Sequence, residues 1–214
     1  YPVEYQGEWD AELAEGLVWG KFNEVRSQSL HQWNASSYPI APGPHPESGY
    51  GWAKLMGEVQ VKHLPIPWVI FRLFNVYGDG ENAGAGSHVI PELIRKTLSA
   101  KAGESIQVYG DGTAGRTFLH VDDAVSAYVA ALGCETSIIM NVGDPTPIRI
   151  RDLAQKIVEI DGRGIGLEFD AGQPEGVKGR TPEIEIAKRV LGWEPQVTLR
   201  EGLWRTYEDY KRRM

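Results

Sequence analysis

Residues 68–74, Trp-Val-Ile-Phe-Arg-Leu-Phe, form an apolar run broken only by Arg72, with Pro65 and Pro67 before it and Asn75 and Gly78 after it. A short run without polar alternation is the pattern of a strand buried on both faces, as strands of parallel sheets are. Parallel strands need crossover connections, so helices should alternate with strands along the rest of the chain. The pattern supports this. Further strands are expected at 105–109, 117–121, 138–142 and 166–169. Helices are expected at 9–30, with Leu13, Leu17, Phe22 and Val25 inward, and from a Ser48 cap to about residue 63. Others are expected at 88–100, 122–132, 149–160, 182–191 and 199–212, and Pro- and Gly-rich loops at 31–49 and 78–87. The expected class is α/β, with neither an internal repeat nor a low-complexity tract.

The chain of 214 residues can hold one sizeable core and a small second lobe. Its net charge of −7 argues against a nucleic-acid surface; the one basic run, Lys211-Arg212-Arg213, reads as the solvated end of a last helix. Cys134 is the only cysteine, so no internal disulfide can form, and a reducing, cytoplasmic location is the expectation. No apolar stretch approaches membrane-spanning length, and no metal role is assigned to any residue.

Two motifs bear on chemistry. Tyr50 and Lys54, in Tyr-Gly-Trp-Ala-Lys, lie four residues apart and so share one face of a helix. A free tyrosine titrates near roughly 10, and a neighbouring cation favours its phenolate, which makes it usable for proton transfer. The spacing alone also fits a packed Tyr and an exposed Lys. The second motif, Gly110-Asp-Gly112-Thr-Ala-Gly115, matches the G-x-G-x-x-G dinucleotide pattern. A phosphate loop must open directly into a helix whose N–H groups face the pyrophosphate. Here Arg116-Thr-Phe-Leu-His-Val follows, which alternates like a strand, so the segment is read as a turn between strands.

Five segments appear in a recognisable order: Tyr50-Gly-Trp-Ala-Lys54, Arg72-Leu-Phe-Asn-Val-Tyr-Gly78, His88-Val-Ile-Pro91, residues 108–123 from Val-Tyr-Gly-Asp-Gly to His-Val-Asp-Asp, and 191–202 from Leu-Gly-Trp-Glu-Pro to Glu-Gly. Together they resemble the NAD-dependent epimerase/dehydratase family, extended short-chain dehydrogenases that act on nucleotide sugars. The resemblance implies a partial Rossmann-type, doubly wound parallel sheet plus a smaller C-terminal α/β substrate-binding lobe. Residues 1–78 would close the cofactor domain. Residues 79–214 would be mainly the substrate lobe, with some segments returning to the sheet. NAD is the implied cofactor (NADP is not excluded), a nucleotide-diphosphate sugar the implied substrate, and a homodimer the implied assembly. The chain opens at Tyr1, and the family's glycine-loop half is expected upstream, on the order of a hundred residues of βαβ units. On that reading the chain alone binds NAD poorly, and tight binding in calorimetry would overturn the expectation.

The resemblance also implies roles. Tyr50 would take the proton from a sugar hydroxyl during transient oxidation, and Lys54 would hold the nicotinamide ribose and keep the tyrosine acidic. Asn75 would contact the sugar nucleotide, Val89 and Ile90 would line the nucleotide pocket or join the core, and Arg116 would pair with the diphosphate. Asp122 and Asp123 would cap a helix and support the fold, with His88 and His120 structural. Gln173-Pro-Glu-Gly-Val-Lys-Gly-Arg180 resembles the same stretch of GDP-mannose 3,5-epimerases, where Arg180 would reach the diphosphate. That subfamily also needs a Lys in the loop 79–87, which has none, so 3,5-epimerisation is not assigned. The competing reading is a catalytically silent relative that binds a nucleotide or a partner as a regulator. A third is a fragment whose sheet is too incomplete to fold stably.

Overall fold

The computed structural model describes residues 49–81, 88–172 and 181–214, with Gly49 and Tyr50 described by backbone alone. The expectations for residues 9–30, the Ser48 cap, the loop after Glu81 and Arg180 lie outside the described residues. The elements are α1 (Gly49–Lys62), β1 (Val69–Leu73), β2 (Val76–Tyr77), α2 (Val89–Ser99), β3 (Ser105–Tyr109), β4 (Gly115–Arg116) and β5 (Leu119–His120). They continue with α3 (Val121–Ala131), β6 (Ile138–Val142), β7 (Ile148–Arg149), α4 (Ile150–Asp161), β8 (Gly166–Asp170), α5 (Glu185–Leu191) and α6 (Leu199–Arg213). The chain divides into one unit of residues 1–70 and 133–139 and a second of 71–132 and 140–214.

In the first unit, Trp52, Leu55 and Met56 of α1 pack around the buried Val59. These positions recur at three- and four-residue steps, so one stripe of the helix is apolar. Pro65 and Pro67 lie beyond the end of α1. Proline cannot continue a helix and biases the residue before it toward extended backbone.

In the second unit, β3 alternates, burying Ile106 and Val108 and exposing Ser105, Gln107 and Tyr109. It pairs in parallel with β8 over its whole length, from Ser105↔Gly166 to Tyr109↔Asp170. Against this pair α2 buries Ile90, Leu93 and Ile94, and α4 buries Leu153 and Ile157. Fully burying such an aliphatic side chain stabilises by about 1.5–3 kcal/mol, which is why these stripes fix the helices' orientation. α4 ends on Gly162, whose φ of 75° is the left-handed C-terminal conformation that glycine adopts at least cost. α6 starts from Thr198, whose side chain accepts from the Glu201 N–H.

The described strands form pairs: β1–β6, β2–β5, β3–β8 and β4–β7. The β2–β5 pair is parallel and β4–β7 antiparallel. Two expectations change, and two short strands are added. β1 is half-buried where a fully buried strand was expected. Of the strand expected at 117–121 only β5 forms, Val121 opening α3; β4 lies before the expected strand, and β4 pairs with β7 where β5 pairs with β2. β2 and β7, two residues each, are too short to carry a periodicity that sequence reading could detect.

Candidate functional site

In the first unit, α1 carries Tyr50 and Lys54 one helical turn apart. Lys54 is exposed.

In the second unit, Asn75 meets Thr117, the residue after Arg116, across 42 positions of sequence. Asn75 stands where the chain turns from β1 into β2, with φ of 40°, the one non-glycine residue at positive φ among the described residues. Asparagine tolerates that left-handed conformation better than most side chains. Its Nδ2 donates to the Thr117 carbonyl at 2.8 Å, and its own carbonyl accepts from the Leu119 N–H at 3.2 Å. Arg116 precedes Thr117, half-buried, with its Nη1 donating to the Gly115 carbonyl at 3.0 Å. Val89 and Ile90 open α2. Ile90 is 1% exposed and belongs to the core, and Val89 is packed against the same cluster.

The Gly110–Gly115 segment joins β3 to β4, so a strand follows it, as expected. Gly110 and Gly112 have φ of 81° and 75°. A Cβ on Gly112 would lie 2.6 Å from the Phe169 ring, so the turn is packed against β8.

His120 and the two aspartates differ from expectation in who does the capping. His120 precedes α3, and its Nδ1 accepts from the Asp122 N–H at 3.3 Å, so the histidine is the cap. Asp122 instead accepts from Arg205 at 2.5 Å, linking α3 to α6. Asp123 is buried and accepts from the N–H groups of Gln196 and Val197, both at 2.9 Å. It supports the fold, as expected. His88 lies 2.7 Å from Glu81 on an exposed edge.

Two groups escaped sequence reading. Tyr77 is buried with its ring edge-on to His120, and burial, reinforced by Asp144 and Asp123, pushes its phenol above the ordinary range. Arg205 is the partner of Asp122 from 83 residues away. No local signal points to either: one looks like a strand aromatic, the other like a solvated helix charge. Burial lowers the pKa of His120, against the opposing pull of Asp122. Among the described residues no group of three or more His, Cys, Asp or Glu could hold a metal ion, and no helix is long and apolar enough to cross a membrane.

Residues 27–143 match the model of the NAD dependent epimerase/dehydratase family. The chain is 31% identical over 191 residues to UDP-glucuronic acid decarboxylase 1 of Xenopus tropicalis, covering 89% of this chain and 44% of that protein. It is 29% identical over 231 residues to GDP-L-fucose synthase 1 of Arabidopsis thaliana, covering 98% of this chain and 71% of that protein. The structure is similar to that of UDP-glucose 4-epimerase with UDP-glucose from Thermotoga maritima, with a TM-score of 0.73 and 28% identity over 79% of this chain and 55% of that one. It is similar also to UDP-glucuronic acid 4-epimerase from Bacillus cereus in complex with UDP-glucuronic acid and NAD, with a TM-score of 0.70 and 31% identity over 83% of this chain and 56% of that one. These likenesses fix the fold as Rossmann-like α/β. The chain spans less than half the length, 44%, of the UDP-glucuronic acid decarboxylases it matches first.

Proposed function

This chain belongs to the NAD dependent epimerase/dehydratase family, and we propose that it carries the proton-transfer pair and most of the sugar-side lobe of a nucleotide-sugar epimerase or dehydratase. The observation that carries this reading is α1: Tyr50 and Lys54 are spaced one turn apart, inside the family-matched residues 27–143. A phenol and an ammonium at that spacing suit a sugar hydroxyl and the ribose hydroxyls of a dinucleotide, so α1 fits the nicotinamide end of NAD. The Gly110–Gly115 turn is committed to strand packing and takes no part in holding a pyrophosphate.

When bound, NAD supplies the acceptor for hydride from the sugar carbon. The chain's residues supply the rest. Tyr50 accepts the proton of the hydroxyl being oxidised, and the positive charge of Lys54 favours the phenolate that does so. Arg116, with Arg180 from outside the described residues, meets the substrate's diphosphate as a planar donor fork. The ligands of the solved relatives, UDP-glucose in one and UDP-glucuronic acid with NAD in the other, support the substrate and cofactor classes; NADP is the alternative dinucleotide. The division at residue 78 into a cofactor part and a mainly sugar-side part, a homodimer and a cytoplasmic location complete the proposal.

The test is Tyr50→Phe in the whole protein, which keeps the ring and removes the titrating oxygen. Turnover of a nucleotide sugar should fall roughly 10²- to 10⁴-fold, with KM little changed. An unchanged rate removes Tyr50 from the mechanism.

A further inference from the structure

Trp204 is the one large aromatic of α6 that the core does not use. The helix buries Leu203, Thr206, Tyr207 and Tyr210, while Trp204 is 56% exposed. Its ring lines a surface groove of about 660 Å³ between α4 and the start of α6, a size that suits a small ligand. Two helix faces build the groove. Lys156, Glu159 and Ile160 of α4 recur at three- and four-residue steps, and Arg200 and Glu201 of α6 stand four and three residues before Trp204, so each set shares one side of its helix. The polar groups have capacity to spare. Among the described residues the side chains of Lys156 and Arg200 have neither an ion-pair nor a hydrogen-bond partner. Glu159 accepts from Gln155 at 2.9 Å through Oε1 alone, and Glu201 lies 3.9 Å from Arg205, beyond hydrogen-bond reach.

We propose that this groove binds a neutral sugar ring, a pyranose laid on the face of Trp204 with its hydroxyls hydrogen-bonded to the charged rim. Each feature narrows the ligand. An exposed indole face, negative at its centre, attracts a ring that offers it C–H groups. A cationic ligand would be repelled by Lys156 and Arg200 and an anionic one by Glu159 and Glu201, so the balanced rim favours a neutral one. A purely apolar ring would strip water from those charges and return no hydrogen bond. The ammonium and guanidinium only donate and the carboxylates only accept, whereas a hydroxyl does both. A pyranose carries hydroxyls round its edge and C–H groups on its face, so it meets both helices at once. A nucleobase suits the rim less well, because its bond to ribose takes up part of its edge. The inference goes beyond the reading of Tyr50 and Lys54 and does not depend on it.

The experiment titrates the methyl glycosides of glucose, galactose and mannose, with uridine alongside, into the whole protein and reads binding by saturation-transfer NMR. At least one glycoside should bind. Trp204→Ala should weaken it roughly tenfold, and Trp204→Phe, which keeps a ring face, should restore most of the affinity. Arg200→Gln and Glu159→Gln should each weaken it roughly threefold by removing a charged hydrogen-bond partner. Tyr50→Phe should leave glycoside binding unchanged, so failure of this inference and failure of the proton-transfer reading are told apart. Absence of binding by all three glycosides, or binding that survives Trp204→Ala, overturns the inference. Uridine held in place of the glycosides, and lost in Trp204→Ala, overturns it as well and makes the groove a platform for a base. If Trp204→Ala does not fold, the Arg200 and Glu159 variants decide, and wild-type affinity in both overturns the inference.

Discussion

His120 does three things with one ring: it caps α3 through Nδ1, packs edge-on against Tyr77, and keeps its Nε2 buried without a hydrogen-bond partner among the described residues. Adding a proton would take the lone pair that accepts the Asp122 N–H and place a charge at a position 2% exposed. Burial accordingly lowers its pKa from the ordinary 6.5, with Asp122, Asp79 and Asp123 pulling upward and Arg205 adding to the lowering. The sign follows. A folded pKa below the unfolded one means the unfolded chain binds more protons just below pH 6.5. The stability is thus full above that pH and is lost as pH falls through the folded value, with a slope of at most about 1.4 kcal/mol per pH unit. Urea unfolding should show a falling midpoint from pH 7 to pH 5, and His120→Asn, which can still cap, should flatten it. A slope that survives in His120→Asn would place its source elsewhere. The carboxylates of Asp161 and Asp209, held below their ordinary 3.8, lose their contribution only at lower pH.

Among elements, the joint of α2, α4 and α6 rests on Asp161. Its side chain is 0% exposed and accepts from Arg163 Nη2 at 2.6 Å, Arg163 Nε at 2.8 Å and the Tyr207 hydroxyl at 2.5 Å. Arg163 in turn donates to the carbonyls of Thr97 and Ala100, both at 2.8 Å, at the end of α2. Burial raises the carboxyl's pKa, but the Arg163 and Tyr207 hydrogen bonds outweigh it and hold the group ionised. The same burial, with Asp161 beside it, pushes the Tyr207 phenol up. A hydrogen bond to a charged group contributes about 1.5–3 kcal/mol, whereas an exposed pair contributes about 0–1 kcal/mol. Asp161→Ala, which leaves the Tyr207 hydroxyl without its acceptor, should therefore lower the unfolding free energy by about 1.5–3 kcal/mol. Arg149→Ala, which breaks the exposed Arg149–Asp152 pair, should change it by less than about 1 kcal/mol. Equal losses in urea denaturation would refute this ranking. Ile157→Ala, in the middle of α4's buried stripe, should cost about 2–5 kcal/mol by the same measurement.

At the scale of the whole molecule, the family assignment and the substrate class stand on different supports. Family membership follows from the match over 27–143 and fixes the fold. Reaction and substrate class are proposed, because the chain spans about half the length of the solved relatives, 55% and 56%. Mass spectrometry of the whole protein with a panel of nucleotide-diphosphate sugars should show at least one converted, while the matching free sugars and sugar monophosphates are left unchanged. Conversion of the free sugar at a similar rate would remove the diphosphate, and with it Arg116, from the recognition proposed.

The sequence by itself determined whatever depends on spacing along the chain. The alternation of helix and strand, the one-turn spacing of Tyr50 and Lys54, and the exclusion of Gly110–Gly115 as a phosphate loop all follow from neighbours within a few residues. Tertiary structure alone decided the partners. Asn75 meets Thr117 across 42 residues, Asp161 meets Tyr207 across 46 and Asp122 meets Arg205 across 83. The same holds for the division of residues 115–120 between two strand pairs and for the placing of Ile90 in the core. The physical reason is that local periodicity records which face of an element is apolar. A hydrogen-bond partner is set by where the folded path returns, and nothing in the spacing of either residue encodes that return.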